Sequence, residues 1–170
     1  MKPTLKIVPD SDIADPFQDD ENISLHGWHR RYGKSDYADP QALMDAVTRQ
    51  GGKFVPVYLY DHGSHYYAPS FSGNPFGSGD HARFDSGFYG FLVFDAELVQ
   101  SAPQIYGSET ELLRVAIGLL EAYTAYANGW GYGYVIEDEN GDELSSCYGF
   151  YSEQDARHEG EISLTAEVAA

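Results

Sequence analysis

The side chains with the most chemistry to offer are two His-x-x-His pairs, His26/His29 and His62/His65. Asp61, His81 and Cys147 are the further donors that could join them. A zinc site asks for three or four nitrogen, sulfur or oxygen ligands converging as a tetrahedron. Along a strand, residues i and i+3 point to opposite faces, so neither pair is a ready clamp. A turn at Gly63-Ser64 is what would bring His62 and His65 together. With Asp61 they would then serve a small metal-dependent or metabolic enzyme, which is the alternative reading of this chain. No Cys-x-x-Cys and no HExxH accompanies them. Ordinary polar or turn histidines are the preferred reading, and no metal or cofactor is assigned.

The other chemical motifs are weaker. Gly129-x-Gly131-x-Gly133 leads into a strand, whereas a dinucleotide fingerprint follows a strand and opens a helix. Gly77-Ser78-Gly79 lacks the Lys and Thr of a phosphate loop, and there is no GxSxG elbow. Cys147 has no His or Lys beside it in sequence and reads as a packed thiol facing Tyr134.

Charge is the stronger signal. The 170-residue chain holds 27 acids against 10 Lys and Arg, a net charge of −17. Residues 1–83 hold 11 acids and 8 bases, net −3; residues 84–170 hold 16 acids and 2 bases, Arg114 and Arg157, net −14. Such a field repels nucleic acid and membrane surfaces and attracts basic ones. The densest group is Glu137, Asp138, Glu139, Asp142 and Glu143, with no cation among them. Glu109, Glu111, Glu121, Glu153 and Asp155 follow as candidates for contact with a cationic partner. The competing account is solubility, which added acids favour.

The elements that would position these groups follow from local signals. Asn140-Gly141 lies between two aromatic and β-branched runs, the pattern of a hairpin with a type I′ turn. Counting outward, Glu137 faces Leu144, Tyr134 faces Cys147, Gly133 faces Tyr148 and Tyr132 faces Gly149. Thr4–Val8 is an edge strand, residues 9–22 a loose segment, and Ile23–Tyr32 a strand. Asp39-Pro40 caps and opens a helix with a Leu43, Met44, Val47 stripe, ended by Gly51-Gly52. Phe54–Tyr60 is a buried strand in which Pro56 implies an edge or a bulge. His65–Phe71 returns, Ser72–Asp80 is a loop, and Gly87–Phe94 is the central strand. Ser108 and Glu111 form a capping box for a helix to about Ala127, with Leu112, Ala116, Leu119 and Tyr123 on one face. The tail, residues 152–170, is a helical turn and a loose end. The fold expected is therefore α+β and single-domain, an antiparallel sheet of five to seven strands with two helices packed on it. One cysteine excludes an internal disulfide. The start of the chain lacks the apolar core of a signal peptide, and no apolar run is long enough to span a membrane, so the expected location is the cytoplasm.

Five blocks carry a resemblance: Trp28-His29-Arg30-Arg31-Tyr32, Pro56 to His62, Asp85 to Phe91, Tyr132 to Ile136 and Ser146 to Tyr151. In this order they resemble a family of small acidic proteins of bacteriophages and other mobile elements. The resemblance implies a phage setting in a host cell and supplies no catalytic residues. The Gly73–Ala82 loop departs from the family pattern. Together with the charge, the expectation is an anti-defence inhibitor of anti-CRISPR or anti-restriction type, a DNA mimic that occupies the nucleic-acid site of a host nuclease. A structural or regulatory phage protein, acidic only for solubility, stands as a further alternative.

Overall fold

Caps, bulges and close backbone contacts set the element boundaries in the computed structural model, which describes residues 3–77 and 79–169. The side chains of residues 80, 81, 83 and 169 fall outside that description. His81 as a metal ligand, and Ser78 in its loop, thus lie outside the described residues.

In chain order the elements are β1 (Thr4–Asp10), β2 (Ile23–Gly27), α1 (Pro40–Gln50), β3 (Lys53–Asp61), β4 (His65–Pro69), α2 (Asp80–Asp85), β5 (Ser86–Phe94), α3 (Ala96–Ser101), α4 (Pro103–Tyr106), α5 (Glu109–Asn128), β6 (Gly131–Glu137), β7 (Glu143–Phe150) and α6 (Glu153–Ala169). The class is α+β with antiparallel pairing throughout, as expected. The single sheet is not: the seven strands form two sheets, ordered β1-β6-β7 and β2-β5-β3-β4. Strand-like runs reveal where strands lie, and leave open which of them pair. The chain divides into a terminal unit, residues 1–15 and 125–170, and a central unit, residues 16–124.

In the central unit, Asp39 caps α1 by accepting from Ala42 N–H at 2.8 Å, and Gly51 closes it at φ +84°. Leu43 and Val47 of α1 pack on Phe91 and Val93, joined by Trp28 and Phe54. Leu92 and Phe94 alternate with these and are buried too, so β5 has two covered faces. That explains its unbroken apolar run. Beyond Leu92 and Phe94 on that second face, α5 contributes Tyr123, whose ring meets Tyr67 at 4.8 Å and Phe17 at 5.5 Å. Thr124 Oγ1 accepts from Tyr67 N–H at 3.0 Å. Pro56 marks a bulge rather than an edge: the β3–β5 register shifts at Val57/Tyr58 while β4 pairs on the other side. On α5 the buried residues are Leu112, Ala116, Leu120, Tyr123, Thr124 and Ala125, whereas Ile117 is exposed.

β2 ends at Gly27 instead of reaching Tyr32. Tyr89 occupies the space a side chain at Gly27 would need, with ring carbons 2.3 Å from an ideal Cβ. Its hydroxyl donates to Tyr32 C=O at 2.9 Å. The chain folds back there, Gly27 N–H donating to Lys34 C=O and Gly33 N–H to His29 C=O. The loop 28–34 is thereby tied down at both ends.

In the terminal unit, β1 pairs with β6 from Thr4↔Glu137 to Asp10↔Gly131 and is an edge, as expected. The tail corrects the expectation most: it is a 17-residue helix, α6, packed on this sheet. Ser152 caps it, its Oγ accepting from Asp155 N–H at 3.0 Å. Ala156 is fully buried, and Gly160 comes so near the sheet that a Cβ would lie 2.6 Å from Leu5. Small residues make this contact, so the helix shows no strong apolar stripe. The segment 9–22 is also anchored. In this unit Ile13 is buried and Ala14 C=O accepts from Tyr151 Oη at 2.9 Å; in the central unit Phe17 is buried.

Candidate functional site

The acidic hairpin is built around Asp138. Asn140 N–H and Asp142 N–H donate to its Oδ1 at 2.8 and 2.9 Å, and Asn140 Nδ2 donates to Oδ2 at 3.1 Å. The Asp142 amide first, with those of Asn140 and Gly141, holds this carboxyl below its usual range. Gly141 takes φ +85° and no described non-glycine residue has positive φ, so the turn is not type I′. The carboxylate shapes a longer loop, and the register moves accordingly. Tyr134 faces Cys147 as expected, but Glu137 faces Glu143 and Tyr132 faces Phe150. Gly149, at φ +92°, sits at the second irregularity. Gly133 falls at that irregularity rather than opposite Tyr148, although the Tyr148 ring does cover it, 2.4 Å from where a Gly133 Cβ would be.

The ten acids named from the sequence are not equivalent. Glu137 pairs with Lys6 across β1, so the tip does have a cation nearby. Glu139, Asp142 and Glu143 are exposed, Glu143 accepting from Ser146 Oγ at 2.7 Å. Glu153 pairs with Arg157 at 2.8 Å, and Asp155 accepts from Ser152 Oγ at 2.6 Å. Glu153 and Asp155 lie at the far end of β7 from the tip, roughly 24 Å away at about 3.4 Å per strand residue. Between these ends α6 carries Glu159, Glu161 and Glu167, all exposed. The sequence shows these three as acids of the tail, but a tail read as a loose end gives them no fixed place. In the central unit, Glu111 pairs with Arg114 at 2.9 Å, and its N–H donates to Ser108 Oγ at 3.3 Å. Glu109 and Glu121 are exposed there. Glu109 and Glu111 also sit in the first turn of α5, where a helix dipole favours carboxylates.

The histidines separate. His26 lies between Ser24 Oγ at 3.0 Å and Ser35 Oγ at 3.4 Å, its ring edge-on to Tyr37. Burial lowers its pKa, against the pull of Asp36. His62 and His65 do reach the same end of the central sheet, each with its own carboxylate. His62 Nδ1 donates to Asp85 Oδ2 at 2.8 Å, and His65 Nε2 lies 3.5 Å from Asp61 Oδ1. Tyr32 stacks on His29 at 5.0 Å and meets His65 at 4.4 Å. His29, Arg31, Asp61 and Asp85 line a cleft of ≈ 370 Å³ with Phe84 at its rim. From the sequence, Arg31 and Asp85 belong to two of the resemblance blocks, and neither is a site candidate. The signal was present in the β3–β5 register, where Tyr60 faces Ser86 and so places Asp85 beside the His62 turn. Among the described residues, no three His, Cys, Asp or Glu side chains converge to hold a metal ion. Cys147 is exposed on the edge strand β7, not packed.

Compared with protein-family models, curated proteins and solved structures, the chain matches none. The resemblance to phage proteins thus rests on its five sequence blocks alone. Among the described residues no helix is long and apolar enough to cross a membrane.

Proposed function

We propose that this chain is a phage-type anti-defence inhibitor, of the anti-CRISPR or anti-restriction kind. It would present an acidic surface to the nucleic-acid-binding cleft of a host nuclease complex in the cytoplasm. The observation that carries this reading is where the charge sits. The terminal unit holds 13 acids against 3 bases, net −10, and the central unit 14 against 7, net −7. In the terminal unit ten of these acids stand on a capped helix and a hairpin whose tip is tied by five hydrogen bonds around Asp138. Charges held on regular elements keep fixed spacings, and a cleft built for a phosphate every ~3.4 Å per strand recognises fixed negative spacing. Little reorganisation is then required on binding.

The residues on which the reading leans are Glu139, Asp142 and Glu143. Asp138 shapes the loop, and Glu137 is engaged by Lys6. Purified protein added to restriction and CRISPR effector nucleases should block DNA binding and cleavage by a susceptible enzyme. The triple variant Glu139→Lys, Asp142→Lys, Glu143→Lys should lose that inhibition, and about 0.5 M salt should release the complex by screening. Inhibition that survives both changes would refute an electrostatic mimic.

A further inference from the structure

The cleft of the central unit is unused by the reading above and stands independently of it. Its walls come from three places in the sequence: the tied loop 28–34, the end of β3 at Leu59 and Asp61, and the α2–β5 junction, with His62 bonded to Asp85 beside it. Arg31 is exposed in the cleft and makes no ion pair among the described residues. Together with Arg30 it forms the one adjacent Lys/Arg pair of a strongly acidic chain. The two carboxylates of the cleft each have an imidazole beside them, Asp85 with His62 and Asp61 with His65. Each carboxylate thus already has a ring nitrogen beside it, and Arg31 lines the same cleft. Because Asp85 takes the Nδ1 proton of His62, that ring turns Nε2 outward as an acceptor or, once protonated, a donor. At the rim Phe84 is 85% exposed, the most exposed of the large apolar side chains. An exposed Phe beside a polar cleft that presents an arginine is what a planar ring with an attached anion would fit.

We propose that this cleft binds a nucleoside phosphate. Arg31, with His29 beside it, receives the phosphate; Phe84 stacks on the base; and His62, oriented by Asp85, contacts the ligand through Nε2. Guanidinium and phosphate oxygens pair as charge-assisted hydrogen bonds, the strongest contact available there. Tyr89 bonding to Tyr32 and the His29–Tyr32–His65 stack keep the loop in place before the ligand arrives.

The test is titration of the intact chain with AMP and, separately, with inorganic phosphate, followed by calorimetry and by histidine ring NMR. AMP should shift the His62 and His29 resonances and bind more tightly than phosphate. Arg31→Ala should weaken AMP by about tenfold or more. Phe84→Ser alters a side chain already in water and should not disturb folding; it should remove the preference for AMP over phosphate. The triple Lys variant of the hairpin tip should bind AMP as the native chain does, which separates this site from the inhibitor surface. Absence of histidine shifts at about 1 mM AMP, or equal affinity for AMP and phosphate in the native chain, would overturn the proposal.

Discussion

His26 and Asp138 show how one titratable side chain is tuned by what surrounds it. His26 is half-buried between two serines, and desolvation makes its neutral form the favoured one. Its folded pKa therefore lies below the unfolded value of about 6.5, and the unfolded chain binds the extra proton. Stability from this group is complete above about pH 6.5 and falls as pH drops through that value toward the folded pKa. Melting curves between pH 5 and pH 8 should show that slope, and His26→Gln should reduce it. Asp138 is the opposite case, an exposed carboxylate whose work is done by backbone amides. Asp138→Asn would keep several of those bonds, which is why the charge test uses its neighbours.

At the scale of elements, the contact between β2 and β5 leaves no room. Gly27 and Gly90 face each other in the register, and a Cβ at Gly90 would lie under 2 Å from His26 C=O. Backbone cannot step aside as a flexible side chain can. Gly90→Ala should therefore cost at least the ~3 kcal/mol at the upper end of ordinary overpacking, measured by urea denaturation. An intact transition midpoint in that variant would mean that the two strands are not so closely paired. The loop that presents Arg31 depends on the same contact, because Tyr89 fills the space over Gly27 and holds Tyr32. Binding in the cleft should weaken in any variant that separates these strands. The hairpin is a contrasting element. An Asn-Gly dipeptide favours a two-residue turn, yet Asp138, two residues earlier, offers the backbone a better set of bonds and wins.

For the molecule as a whole, the charge of −17 is a cost to folding as well as a device for binding. Exposed carboxylates repel one another in the compact state, and salt screens that repulsion over a Debye length of about 10 Å at 0.1 M. The melting temperature should rise between 10 mM and 300 mM sodium chloride, measured by calorimetry. A flat response would mean that the exposed pairs of Lys6, Arg114 and Arg157 already offset the field. The same salt range should weaken capture of a basic partner. Rising stability with falling partner affinity is the joint signature of an acidic docking surface.

Much of this protein could be read from its residues in order. Asp39, Pro40 and Gly51 delimit α1 because caps act within a few residues. β5 announces itself by an unbroken apolar run. The excess of acids, and the class of antiparallel α+β, follow from composition and turn spacing. What needed the folded chain was everything set by distant partners. The strands divide into two sheets because β1 finds β6, more than a hundred residues away. The tail became a helix because Ala156 is buried and Gly160 fits against Leu5 and Tyr134, a match no local pattern displays. Asp85 reached His62, and Lys6 reached Glu137, across strand registers rather than along the sequence. Local order is decided by neighbours in the chain; a site is decided by neighbours in space.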